Sequence, residues 1–264
     1  MHTVAGVEPW IRGVVFVVVF VALLIAQYLA PRGAQRPVRA LWPNAALFVT
    51  NTSIMRLLST YSLVGVAYFA SEQQIGLLNA MDIAPWLEAA AAVLALDLTM
   101  YLQHRLFHTA ALLWRFHAVH HSDTTFDVTT GLRFHPGEMI VSLAIKALAV
   151  VVLGASPWSV LVFEALLSSA SLFTHSNVAL PRGLDRLLRA CVVTSDMHRI
   201  HHSTQGVEYN TNFGFLVSWW DRWFGSYCAE PHEHYERVRI GLESFRNPNE
   251  QTFRALLLQP LQPR

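Results

Sequence analysis

The sequence is poor in charge and nearly free of cysteine. Charged residues make up 14% of its 264 residues and hydrophobic residues 53%, whereas a soluble domain carries about 25% charged residues. The formal net charge of +1 provides no basic excess of the kind that a nucleic-acid-binding face needs. Cys191 and Cys228 are too few for a disulfide framework, and without a CxxC pair we expect reduced thiols. These shortages favour a membrane protein and argue against a nucleic-acid partner.

Common nucleotide-binding and serine-hydrolase motifs are also missing. The sequence has no P-loop, GxGxxG or GxSxG. No Ser/Gly-rich linker or block of charge divides it, so we expect a single membrane-embedded domain over residues 1–264. Its parts would be an N-terminal span with an arginine-rich loop (1–45), a histidine-rich core (85–230) and a cytosolic or interfacial tail (231–264).

Long apolar stretches are abundant. A membrane helix needs about 20 apolar residues, and the candidate spans are 11–30, 46–70, 85–104, 138–155 and 157–175. The first is not a secretory signal, because its apolar run is long and no small-residue cleavage site follows. The sequence therefore predicts an all-α, multi-span membrane bundle of about four to five helices.

The arginines orient this bundle. Arg32, Arg36 and Arg39 follow the first span, whereas only Arg12 precedes it, so the positive-inside rule places residues 31–45 in the cytoplasm. Counting spans from there brings His104 and His175 to the same side. We therefore expect a multi-pass integral membrane protein with its histidines on the cytoplasmic face, which for a bacterial protein means the cell inner membrane.

Nine histidines form a repeated pattern. An HxxxH pair is followed by two HxxHH boxes, with a single histidine in FTHSN between those boxes. On a helix, residues three and four apart share a face, whereas adjacent residues diverge by about 100°, so one turn can serve two ions. The nine histidines are His104, His108, His117, His120, His121, His175, His198, His201 and His202.

This number of imidazoles exceeds the needs of one ion. A structural zinc takes four ligands and a catalytic zinc takes three and a water. Imidazole ligands without thiolate or carboxylate suit iron, copper, nickel or zinc. The pattern predicts two metal ions with four or five nitrogen ligands each, on the cytoplasmic face of the bundle.

Other polar residues are weaker candidates. His135 precedes Pro136 and is therefore extended, as either a supporting group or a tenth ligand. Asp97 lies inside a span, about two turns before His104, where a carboxylate marks function; the alternative is an ion pair with Arg56. Six more acids could accept the second N–H of a ligating imidazole: Asp123, Asp127, Glu138, Asp196, Glu208 and Asp221. We expect His2, His232 and His234 to be surface residues.

The order of these boxes resembles the fatty acid hydroxylase/sterol desaturase superfamily of integral-membrane di-iron enzymes, in its bacterial sterol desaturase-like branch. The sequences around the boxes agree with this resemblance, which covers about residues 90 to 230. They are LLWRFHAVHHSD, LRFHPGE, FTHSNVALPRGLDRLLR, TSDMHRIHHS and SWWDRWFGSY. The resemblance implies a helical membrane domain capped by a cytosolic, histidine-rich helical domain. That domain would hold two irons bound by the nine histidines, with zinc able to replace iron on purification. The resemblance further implies that the core uses O2, takes electrons from a separate electron-transfer protein, and hydroxylates or desaturates a membrane lipid, sterol or acyl chain.

One position departs from the family pattern. Relatives have a further histidine one turn after the position of His175, where this chain has Ala179. Asn177, His135 or water would then complete the second ion, and Asn177 joins Asp97 as a candidate catalytic residue.

Other functions fit parts of the pattern. A membrane metal transporter or metal-storage protein would use histidines, although transport sites lie near the middle of the bilayer. A zinc-dependent hydrolase could use all-histidine zinc to activate water, and oxygen dependence would distinguish it. Bis-histidine haem binding would leave most of the nine histidines without a role.

Overall fold

The computed structural model describes residues 3–58, 62–235 and 237–262. Within these ranges the chain is helical, and the only extended pairings are three isolated bridges. The longer helices are α1 (Thr3–Leu29), α2 (Trp42–Leu58), α3 (Leu63–Glu72), α4 (Pro85–Thr109), α5 (Ala111–His121), α6 (Pro136–Leu153) and α7 (Pro157–Thr174). The shorter ones are α8 (Arg182–Leu188), α9 (Ser195–His201), α10 (Gly206–Tyr209), α11 (Trp219–Trp223) and α12 (Phe253–Leu258).

Five segments of the described chain are long and apolar enough to cross a membrane. They are Val7–Leu29, Trp42–Glu72, Pro85–Thr109, Pro136–Leu153 and Pro157–Thr174. The second contains α2 and α3 and runs across residues 59–61, which lie outside the described ranges. The predicted all-helical, multi-span fold is confirmed, and the chain is an integral membrane protein.

Local sequence signals explain where the spans begin and end. α4, α6 and α7 all start with proline in the first turn, where its missing N–H costs nothing and its fixed φ suits a helix. The Ser156 side chain caps α7 by accepting the backbone N–H of Ser159. Gly154 ends α6 in the left-handed conformation, with φ of 68°. Together Gly154 and Pro157 divide one apolar stretch into two helices, α6 and α7.

α7 lies at the centre of the bundle, in contact with α1, α3 and α4. Its buried Val160, Leu161 and Phe163 belong to the main apolar cluster, which α3 and α4 complete. Outer faces stay apolar as well: Val17 and Val18 of α1 are more than half exposed. Such an outer face is expected where lipid takes the place of water.

Charged residues connect three of the spans. The Arg12 guanidinium lies 2.9 Å from carboxylate oxygens of both Glu8 and Glu164, and Lys146 is 3.8 Å from Glu164. Ser62 donates to Glu8. Lys146 is the single lysine in the sequence, and Glu8 and Glu164 are buried. This charge cluster ties α1 to α6 and α7.

The chain after α7 folds over one end of the bundle, where α1 also ends. The backbone N–H of Ala179 donates to Ala30, and that of Arg32 donates to Asn177. Farther along, α12 packs against α2, with Leu256 buried on Leu47 and Val119. The tail is therefore part of this cap, and both the N-terminal loop and the tail support the histidine-bearing helices.

Candidate metal centre

All nine histidines of the predicted pattern meet under the cap, in two adjacent groups. In each group, one ligand atom per residue lies within 4.8 Å of the others. The first group contains His104, His108, His117, His121 and His201; the second contains His120, His175, His198 and His202.

Helical geometry assigns the histidines to their groups. α4 brings the HxxxH pair to the first group, and His175 enters the second as the C-terminal cap of α7. Each HxxHH box is divided between the groups. The adjacent rings of His120 and His121 are perpendicular, with centroids 5.4 Å apart. They point to different groups because neighbouring residues diverge around a helix.

The spacing of ring nitrogens fits metal ligation. The Nε2 atom of His175 lies 3.0 Å from that of His120, 3.0 Å from that of His198 and 3.2 Å from that of His202. Two nitrogens that each lie about 2.0–2.1 Å from one ion are about 3 Å apart at a right angle and about 3.4 Å apart at a tetrahedral angle. In the first group, the Nε2 atoms of His104 and His117 are 3.1 Å apart.

The opposite ring nitrogens of five histidines have partners that fix the ring. Backbone carbonyl groups of Phe213, Arg133, Ser171 and Thr211 lie 2.6–3.2 Å from Nδ1 of His104, His120, His175 and His201, respectively. His117 Nδ1 is instead 2.7 Å from a Glu138 carboxylate oxygen. Donation from Nδ1–H to these acceptors leaves Nε2 with its lone pair for a metal.

Other ring nitrogens are buried without a hydrogen-bond partner in the described part of the chain. They include both nitrogens of His108 and His121 and the Nε2 atom of His201. Burying polar groups without partners costs about 1–3 kcal/mol each. A bound cation removes that penalty, so the unsatisfied nitrogens fit the presence of metal.

Burial also keeps the cap histidines neutral. It lowers the pKa of His175 to about 4 and that of His201 to about 3, and it lowers the pKa values of His120, His121, His198 and His202 well below the usual value. Neighbouring imidazoles add to the effect in the latter four. Neutral imidazole is the form that binds metal.

Asp97 contacts neither a histidine nor Arg56 among the described residues. Its carboxylate accepts the backbone N–H groups of Leu216 (3.1 Å) and Val217 (3.2 Å) and the indole N–H of Trp220 (2.8 Å). This segment leads back to Phe213, whose carbonyl group contacts His104. Asp97 therefore positions the loop that orients His104.

Asp221 holds the same loop from its other end. Its carboxylate accepts the backbone N–H groups of Phe213 and Gly214 and the hydroxyl of Ser226. Burial raises the pKa of Asp221 to about 6. The hydrogen bonds act in the opposite direction and lower the pKa, because they favour the ionised form. Of the acids singled out in the sequence, all of which are described, only Glu138 contacts one of the nine histidines directly. The other ring acceptors are backbone carbonyl groups, which cannot be predicted from residue type because every residue has one.

Asn177 and His135 lie outside both groups. The Asn177 side-chain oxygen accepts from Arg199 (2.6 Å) and from the backbone of Gly33 (3.0 Å). His135 caps α6 by accepting the N–H of Gly137, and its Nε2 contacts the Leu257 carbonyl group. The second group therefore has four imidazoles among the described residues. His232 and His234 are exposed, and His2 lies outside the described ranges.

The fold and the site together define the class of this protein: a membrane helical bundle that carries two clustered groups of histidines. Residues 89–226, just over half of the chain, match the family model described as fatty acid hydroxylase. The chain belongs to the fatty acid hydroxylase family.

Curated relatives include enzymes that act on several lipids. The chain is 35% identical to ornithine lipid hydroxylase OlsE of Rhizobium tropici over 150 residues, which cover 55% of this chain and 44% of that protein. It is 27% identical to alkylglycerol monooxygenase of Caenorhabditis elegans over 167 residues (62% and 30%) and to rat cholesterol 25-hydroxylase over 161 residues (60% and 52%). The match thus spans about half or less of each relative. No solved structure matches significantly.

Proposed function

We propose that this protein hydroxylates a C–H bond of a membrane lipid, using O2 and two irons. The observation that carries the proposal is the pair of adjacent all-imidazole groups at the ends of membrane helices. In the balanced reaction, a C–H bond, O2, two electrons and two protons yield a C–OH group and water. The electrons come from a separate electron-transfer protein. Hydroxylation is preferred to desaturation because the matched relatives are named as hydroxylases and monooxygenases.

The nine histidines would hold the irons, five on one and four on the other. When bound, the irons would supply the redox chemistry that no side chain provides. The protein contributes a rigid, buried setting: the carbonyl groups and Glu138 fix the rings, and the positioning residues Asp97 and Asp221 support the loop at His104. Asn177 would act by joining α9 to the N-terminal loop through Arg199 and Gly33.

Position in the bilayer supports a lipid substrate. His104 and His108 lie on the last two turns of a candidate span, and His175 immediately follows another. A lipid carbon could reach the groups from the bilayer without entering water. We further propose the cytoplasmic side for the site, because arginines cluster in the loop and cap segments next to it.

The test is metal content and oxygen-dependent product formation in detergent-purified protein. We expect about two metal ions per chain, iron supporting lipid hydroxylation, and no product under anaerobic conditions. A His201→Ala/His202→Ala variant removes one ligand from each group and should lose both metal and activity. His234→Ala, an exposed histidine outside both groups, is the matched control and should retain metal.

Two results would contradict the proposal. One is metal content unchanged by the double substitution. The other is lipid turnover that proceeds equally well without oxygen, as expected for a zinc-dependent hydrolase.

A further inference from the structure

A charged cavity lies in the cap, away from the histidine groups. Its volume is about 750 Å³, and its walls come from α8, the start of α9, residues 227–235 and Arg237. The lining contains five arginines: Arg32, Arg182, Arg186, Arg189 and Arg237. None of the nine clustered histidines lines it, so it needs a separate explanation.

Two of these arginines are already neutralised. Arg32 donates to both carboxylate oxygens of Asp196 and to the Leu180 carbonyl group. Arg189 pairs with Asp185 and donates to the Ala229 carbonyl group. These contacts make a rigid, paired base that requires no ligand.

The remaining charges have no such partners. Among the described residues, Arg182, Arg186 and Arg237 make no side-chain hydrogen bond or ion pair, and neither do the carboxylates of Glu230 and Glu233. All five are exposed and line the same cavity. Three guanidinium groups without a partner in the described ranges suit a phosphate or carboxylate, and two such carboxylates suit an ammonium group. The cavity thus matches a ligand that carries both charges.

The surroundings of the cavity favour a lipid over a soluble molecule or an acidic protein. α8, which carries Arg182 and Arg186, also carries Leu184 and Leu187, and Leu187 is 71% exposed. Exposed leucines beside arginines are typical of a helix that lies in the membrane interface. Trp219 binds the carbonyl group of Ala190 just after α8, and Trp223 is 69% exposed, as in an interfacial aromatic belt.

The cavity is also connected to the histidine groups. Asp196, which Arg32 holds in the cavity wall, lies on α9 two residues before His198. The Arg189 carbonyl group accepts from Ser218, at the start of the segment that carries Trp220. A headgroup held here would be fixed relative to both elements.

We propose that this cavity binds the headgroup of a zwitterionic aminolipid, with the anion on Arg182, Arg186 and Arg237 and the primary ammonium on Glu230 and Glu233. The inference deepens the proposed function, on which it rests, by assigning the headgroup class of the lipid substrate. Phosphate and carboxylate anions share this chemistry, so the experiment includes both.

Binding is measured by native mass spectrometry on detergent-purified full-length protein, and metal content is measured on the same samples. The probes have matched acyl chains: phosphatidylethanolamine, an N-acylated amino-acid lipid with a free carboxylate and amine, and phosphatidylglycerol, which has no amine. O-phosphoethanolamine tests the soluble source. We expect at least tenfold weaker binding of phosphatidylglycerol than of the better aminolipid, and no retention of O-phosphoethanolamine.

Two sets of variants separate the charges. Arg182→Gln/Arg186→Gln/Arg237→Gln should weaken binding of the aminolipids at least tenfold. Glu230→Gln/Glu233→Gln should abolish the preference over phosphatidylglycerol. Both should keep the wild-type metal content. Arg254→Gln, an exposed arginine of α12 outside the cavity, is the matched control and should bind as wild type.

Equal binding of phosphatidylglycerol, tight binding of O-phosphoethanolamine, or unchanged lipid binding by the arginine variant would overturn the proposal. An arginine variant that binds lipid normally but binds the electron-transfer protein more weakly would also overturn it, because the cavity would then be a protein-docking site. Because lipid binding is read without turnover, selective aminolipid binding by a protein that never hydroxylates lipid would refute the proposed function alone.

Discussion

Imidazole rings that are neighbours in sequence belong to different histidine groups. His120 and His121 separate, as do His201 and His202. The boxes could be predicted from sequence because histidine clusters at helical spacing are rare in an apolar chain. Their supports could not, because backbone carbonyl groups such as those of Phe213 and Thr211 leave no mark in the residue type.

Glu138 provides a test of ring orientation in the first group. Glu138→Ala removes the acceptor at His117 Nδ1 and should weaken metal binding about 10- to 100-fold. Glu138→Gln keeps a hydrogen-bond acceptor and should lose less. The measurement is metal retention against a competing chelator, with exposed Glu243→Gln as control. Equal retention by the alanine variant and wild type would show that the carboxylate does not support the site.

Asp123 provides a test of buried charge behind the second group. It accepts from Arg36 (2.6 Å) and from Asn44 (3.2 Å), and it is fully buried. Asp123→Asn would leave Asp127 as the remaining carboxylate at Arg36 and would remove the negative charge that Asp123 also provides to Arg133. The buried excess of positive charge should cost about 3–5 kcal/mol of unfolding free energy. The measurement is the melting temperature in detergent, and a shift below one degree would contradict the expectation.

The same residue makes a prediction about pH. Burial alone would raise the pKa of Asp123, but Arg36 and Arg133 lower it from 3.8 to about 2. Because the pKa is lower in the folded state, its stabilisation is complete above about pH 5 and is lost as pH falls through 3.8 towards 2. The difference in melting temperature between wild type and Asp123→Asn should therefore be constant from pH 8 to 5 and become smaller below pH 4.

At the scale of helices, hydropathy, proline and glycine located the membrane spans, but they could not reveal how the spans contact one another. The sequence suggested Arg56 as the alternative partner for Asp97, whereas Asp97 binds the loop at 216–220. It used Arg12 only to orient the first span and named no partner for it, whereas Arg12 forms ion pairs with Glu8 and Glu164. Such pairs link residues far apart in the chain, so only the packing of α1, α6 and α7 brings them together.

Removal of Glu164 should destabilise the bundle through its partners. Glu164→Gln leaves Arg12 and Lys146 with only Glu8 to balance them, which should lower the melting temperature clearly. Adding Lys146→Met removes one excess charge and should recover part of the loss. A double variant no more stable than Glu164→Gln would show that Lys146 and Glu164 are not coupled.

Two glycines lock the α3–α4 connection to the turn between α6 and α7. Gly76 has φ of 103°, and a Cβ atom there would lie 2.2 Å from the backbone nitrogen of Gly154. Gly76→Ala should therefore destabilise the protein by more than the roughly 1–2 kcal/mol of a left-handed residue alone. Gly13→Ala in α1, where a Cβ atom meets nothing within 4 Å, is the control and should not lower the melting temperature.

For the whole molecule, sequence reasoning predicted the class of fold and the residues that cluster, but less of the cap. The cap helices α8 to α12 have four to seven residues each, too short for hydrophobic periodicity to define. Their positions depend on long-range contacts. For example, Gln251 and Asn44 both bind the buried Arg133 side chain.

The distribution of histidines along the chain has a consequence for biosynthesis. Both groups need α9 and its C-terminal cap: α9 supplies His201 to the first group and His198 to the second, and the cap residue His202 joins the second. A ribosome makes the chain from its N-terminus, so α4 and α5 are already exposed with incomplete ligand sets while α6 and α7 are still being inserted. Neither histidine group is complete until residue 202 has been made and folded. Acquisition of metal would therefore be a late step of assembly, completed only after both the last two spans and α9 have been made.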